Sequence, residues 1–179
     1  GSIGGFFKLN PKVDDLPDAL SVRLGNIKLM RLGGVQKGGS GCICPESTLL
    51  RALVTHIVLA RNEVVVMDME AGIEHLGRGT ARAVDRLLVV VEPGRRSIDT
   101  AEHIRKLAGE IGLDNIAVVG NKIRSPRDEA FLREHLAGFA FLGFLPYDNA
   151  LIEADLAGIS PFDAASSAKA AVKAMIARL

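Results

Sequence analysis

The sequence predicts an α/β fold, a mainly parallel sheet flanked by helices. Three observations carry this reading. Short apolar runs recur along the chain at Val64-Val65-Val66-Met67, Arg86 to Val91, Ile116 to Asn121 and Phe139 to Pro146. Stretches with apolar residues at helical spacing lie between them, and strands alternating with helices imply βαβ crossovers. Apolar residues make up 48% of the 179 positions, yet there is one Tyr and no Trp. The core is therefore chiefly aliphatic, which suits a buried parallel sheet covered by helices.

Taken in order, residues 1–20 read as loop, because Asn10-Pro11 and Leu16-Pro17 punctuate turns and disfavour helix. Ile27-Lys28-Leu29-Met30-Arg31-Leu32 alternates apolar and basic residues and reads as a strand. A glycine-rich loop follows, Gly33-Gly34 and Gly38-Gly39-Ser40-Gly41, and ends in Cys42-Ile43-Cys44. Pro45 and Glu46 then open a helix over Leu49 to Arg61, in keeping with N-terminal preferences. Val64 to Met67 forms a strand closed by Asp68. Further helices are expected near 76–84, 97–112, 126–137 and 163–178, between and after the other apolar runs. The length fits a single domain over 1–179.

Charge excludes some classes of partner. Lys and Arg number 22 and Asp and Glu 21, so neither nucleic acid nor an anionic membrane is expected. No apolar run approaches the roughly 20 residues of a transmembrane helix, and no signal peptide is visible. Two cysteines one residue apart do not make a secreted disulfide framework. A reduced thiol pair in a cytoplasmic protein is the expectation.

The polar residues gather where the strands end: Asp68 to Gly72, Glu92-Pro93-Gly94, Asn121-Lys122 and Pro146-Tyr147-Asp148. Ligands of open α/β sheets bind at the carboxyl ends of the strands, so a nucleotide-type site along that edge is expected. Asp68 suits a carboxylate that holds Mg²⁺ through water, or one that caps the next helix. Gly72 would let a backbone N–H approach a terminal phosphate. Lys37-Gly38-Gly39-Ser40-Gly41 imitates the start of a phosphate-binding loop, but Cys42 and Ile43 stand where Lys and Ser/Thr are required. Cys42 and Cys44 are soft ligands suited to Ni, Zn, Cu(I) or iron–sulfur. A Cys₄ site needs two more thiolates, which a symmetric dimer supplies on its two-fold axis. The plainer alternative is two small apolar residues packed in a turn.

Gly41-Cys42-Ile43-Cys44-Pro45-Glu46 and Asp68-Met69-Glu70-Ala71-Gly72-Ile73-Glu74-His75 resemble the CooC family, as does Phe6-Phe7-Lys8-Leu9-Asn10-Pro11. CooC proteins are MinD-type ATPases of the MinD/ParA/nitrogenase-iron-protein superfamily that help mature nickel carbon monoxide dehydrogenases. The resemblance implies a P-loop NTPase-like fold of the deviant Walker A class. It assigns Cys42 and Cys44 to a dimer-bridging Ni or Zn site, and Asp68 and Gly72 to the region that responds to Mg²⁺ and the γ-phosphate. It places Asn121 with Lys122, and Pro146 with Tyr147, at the adenine. ATP and Mg²⁺ are the implied cofactors. The implied partners are a second copy of the chain and a nickel carbon monoxide dehydrogenase.

The family's first strand, P-loop, helix and switch I aspartate have no counterpart here. The expectation is a partial nucleotide-binding domain lacking that segment, with ATP hydrolysis by this chain left open. Two other readings stand beside it: a dimeric interaction domain without ATPase activity, and a MinD/ParA-like positioning ATPase.

Overall fold

The structure is a computed structural model that describes residues 21–31, 64–69, 84–164 and 166–179. The chain divides into two compact units, Gly1–Gly72 and Ile73–Leu179. In the first, β1 (Val22–Leu24) and β2 (Ile27–Leu29) pair antiparallel, with Val22 opposite Leu29 and Leu24 opposite Ile27. Gly25, at φ +57°, begins the two-residue turn between them. The expected strand over residues 27–32 is therefore the second arm of a hairpin, and it stops at Leu29.

Residues 64–69 carry no strand. Val64 and Val66 are 92% and 87% exposed. An apolar run becomes a strand only when a neighbour takes up its backbone N–H and C=O groups, and among the described residues no such pairing is formed over this run. The helices expected over 49–61 and near 76–84 lie outside the described residues, apart from Val84, which is not helical.

The second unit holds a three-stranded parallel sheet in the order β3 (Leu87–Val91), β4 (Ile116–Ile123), β5 (Ala140–Pro146). Helix α1 (Arg95–Glu110) connects β3 to β4, and α2 (Pro126–His135) connects β4 to β5. Then come α3 (Asn149–Leu156), the short α4 (Pro161–Ala164) and α5 (Ser166–Ile176). Strand β4 lies between the other two, and Ala117, Val118, Val119 and Gly120 are buried in succession. An uninterrupted apolar run is the mark of a parallel strand covered on both faces.

Two clusters cover those faces. Val89, Val91 and Val118 pack with Ile98 and Ala101 of α1 and with Leu132 and Leu136 at the end of α2. Ala117, Val119 and Leu142 pack on the other side with Met175 and Ala171 of α5. The spacing Ile98, Ala101, Ile104, Ala108 keeps one stripe of α1 inward. Helix α1 ends where Gly112 takes φ +76° and Leu113 N–H returns to the Ala108 carbonyl at 2.9 Å. Helix α2 starts at Pro126, with the Asp128 carboxylate accepting from the N–H groups of Arg124 (2.8 Å) and Ser125 (3.1 Å).

Leu88 and Val90 point to the α5 side of the sheet by alternation and are 41% and 60% exposed. Helix α3 was not anticipated. The final helical stretch, expected over 163–178, begins at Pro161, two residues before the expected start, and is helical over Pro161–Ala164 and Ser166–Ile176 among the described residues. Among the described residues no helix is long and apolar enough to cross a membrane.

Candidate nucleotide site at the strand ends

Parallel strands end on the same side, so β3, β4 and β5 deliver Glu92, Asn121-Lys122 and Tyr147-Asp148 to one edge of the sheet. Side-chain and backbone contacts tie these ends together. Lys122 Nζ lies 2.7 Å from Glu92 Oε1, which joins the ends of β4 and β3. Tyr147 N–H donates to the Ile123 carbonyl at 2.9 Å, which joins β5 to β4. The Arg124 guanidinium lies over the Tyr147 ring at 4.5 Å, a favourable placement for a cation on an aromatic face. Ser97 Oγ accepts from the Glu92 N–H at 3.0 Å and holds the β3 end against the first turn of α1.

The end of β4 is irregular. Gly120 pairs with Phe144 and Ile123 with Pro146, so three steps along β4 match two along β5. The extra residue makes a bulge at Asn121-Lys122, and Lys122 takes φ +57°. Among the described residues it is the one non-glycine in that left-handed region. Such a conformation costs of order 1–3 kcal/mol, and bulges beside sites re-aim side chains.

Gly120 is needed just before the bulge. A Cβ there would stand 2.4 Å from Phe144 Cδ1 and 3.1 Å from Leu132 Cδ1. Without a side chain at Gly120, the Phe144 ring packs over the strand, stacked on Phe141 at 5.3 Å between centroids.

Asp148 closes the edge. Its Oδ1 accepts from the Ala150 N–H at 2.9 Å and caps α3, and its Oδ2 accepts from Ser167 Oγ at 2.5 Å. These two bonds, the Ser167 hydroxyl foremost, hold the carboxyl below its ordinary value of 3.8. Helix α5 is thereby tied to the end of β5, where Pro146 and Tyr147 lie.

Of the residues singled out from the sequence, Asn121, Lys122, Pro146 and Tyr147 come together along this edge. Asp68 is exposed and belongs to the first unit. Cys42, Cys44 and Gly72 lie outside the described residues. Among the described residues no group of three or more His, Cys, Asp or Glu converges. Glu92 carried a signal as a strand-end carboxylate, but its pairing with Lys122 did not. Ser167 carried none, being 19 residues from Asp148.

No protein-family model matches the chain. The carbon monoxide dehydrogenase accessory protein CooC of Rhodospirillum rubrum is 46% identical over 176 residues, which is 98% of this chain and 67% of that protein. The chain belongs to the CooC-type family. An uncharacterized ATP-binding protein of Methanocaldococcus jannaschii is 47% identical over 161 residues, covering 88% of this chain and 62% of that one. The CooC-type chain thus spans about two thirds or less of the length of these curated relatives. The MinD cell division protein of Aquifex aeolicus shares the fold, with a TM-score of 0.63, 21% identity, and coverage of 74% of this chain and 59% of that one. The expected α/β fold with a MinD-type parallel sheet is what the CooC-type chain adopts.

Proposed function

We propose that this chain is a cytoplasmic metal-handling accessory protein that serves a nickel carbon monoxide dehydrogenase and responds to adenine nucleotide. The observation that carries the reading is the 46% identity to R. rubrum CooC over 98% of the chain. The gathering of Asn121, Lys122, Pro146 and Tyr147 at one sheet edge supports a base-binding role for them. Asp68 would serve as the Mg²⁺-linked acid and Gly72 as the group that senses the terminal phosphate. Cys42 and Cys44 from each of two copies would hold one Ni²⁺ or Zn²⁺ as cargo.

Four thiolates complete a tetrahedral site, and a two-fold dimer is the arrangement that collects four from chains with two each. Thiolates must lose their protons to bind, so loading releases protons and weakens as pH falls. The test is metal loading followed by elemental analysis and sedimentation. One metal per two chains is expected, with loss of both metal and metal-dependent dimer in Cys42→Ala/Cys44→Ala. A double variant that keeps its metal stoichiometry would overturn the assignment.

A further inference from the structure

The Glu92–Lys122 pair has no part in the reading above beyond the lysine itself. Three observations meet on it. Lys122 sits at φ +57°, where glycine would be the less strained residue. Its side chain reaches 2.7 Å from Glu92 across the gap between two strand ends. Glu92 in turn is fixed from behind, its N–H donating to Ser97 Oγ at 3.0 Å. A backbone conformation that disfavours a side chain is thus occupied by one whose far end is held.

We infer that Glu92 is a positioning residue: its carboxylate holds Lys122, the held lysine sets the β4 bulge, and the bulge aims the Asn121 amide at the ligand. Of the two register shifts between β4 and β5, this one lies at the end of β4 and puts the extra residue in that strand. Asn121 immediately precedes the left-handed residue, so rotation there redirects its amide. An exposed ion pair contributes little to global stability. Its effect here is local, on the population of one bulge geometry. The inference rests on the proposed base-binding role of Asn121 and Tyr147.

The experiment is an NMR titration of the ¹⁵N-labelled chain with adenosine, and with guanosine as control. It follows the Asn121 side-chain amide and the Tyr147 backbone amide. In the parent chain adenosine shifts both signals. In Glu92→Gln and Lys122→Gly, adenosine binding weakens about two- to fivefold, the equilibrium equivalent of one exposed ion pair. Lys122→Arg restores it. Added salt weakens adenosine binding in the parent and not in Glu92→Gln, because the pair is screened.

Lys122→Gly also separates strain from tethering. It relieves the backbone and is expected to melt no earlier than the parent, while binding still falls. Equal adenosine affinity in the parent, Glu92→Gln and Lys122→Gly would overturn the positioning role and leave the base site standing. No adenosine response in the parent chain would overturn the base site, and the positioning role with it.

Discussion

Gly120 and Gly143 look alike in sequence, but packing gives each its own sensitivity. A Cβ on Gly120 meets a stacked ring, Phe144, and a fully buried side chain, Leu132. Neither can move without disturbing the main cluster. Gly120→Ala is expected to cost about 1–3 kcal/mol by overpacking, read as a lower urea midpoint with an unchanged slope. At Gly143 the clash is with Met175, at 2.7 Å from Cγ. Methionine is unbranched and can re-pack, so Gly143→Ala is expected to cost less than Gly120→Ala in the same measurement. Leu132 is 0% exposed, and Leu132→Ala is expected to cost about 2–5 kcal/mol.

Among the elements, α3 and α5 are coupled through one carboxylate. Asp148 caps α3 through Ala150 and receives the Ser167 hydroxyl from α5. Both bonds favour the ionised form, so the folded carboxyl titrates below its ordinary 3.8. The sign follows from linkage: the unfolded chain takes up the proton first as pH falls. The stabilisation is complete well above pH 3.8, and is lost as pH falls through the lower folded value. Ser167→Ala removes the larger cause. Asp148 is then expected to titrate closer to 3.8, measurable from its carboxyl ¹³C shift, and α5 to exchange its amides faster. An unmoved titration in Ser167→Ala would contradict the assigned cause.

At the scale of the whole molecule, the described sheet has an open side at β3. Val90 is 60% exposed and Leu88 41%, on a strand paired only through β4 among the described residues. Exposed apolar edges promote association. Val90→Lys is expected to leave stability within about 0.5 kcal/mol and to lower concentration-dependent light scattering. The two units give the same kind of residue opposite environments. Val89 and Val118 are in the core, whereas Val64 and Val66 are exposed. Hydrophobic character alone therefore does not say which run becomes a strand.

Strand β4 was legible because burial on both faces demands a continuous apolar run, and β3 and β5 carry similar apolar runs although Leu88 and Val90 of β3 are exposed on one face. Helices α1 and α2 were legible within two residues, from apolar residues at helical spacing between the strand runs. The strand-end rule gathered Asn121, Lys122, Pro146 and Tyr147 in advance, since parallel strands must deliver their carboxyl ends to one edge. Helix α3 was hidden because Asp148, its cap, was read with the polar strand ends. What only the tertiary structure decided is how those ends are held. The Glu92–Lys122 pair and the Asp148–Ser167 bond join residues 30 and 19 positions apart. No local pattern encodes such contacts, which exist only once the sheet sets the strand ends side by side. The left-handed turn at Lys122 is decided there too, because a bulge is a mismatch between two strands and belongs to neither sequence alone.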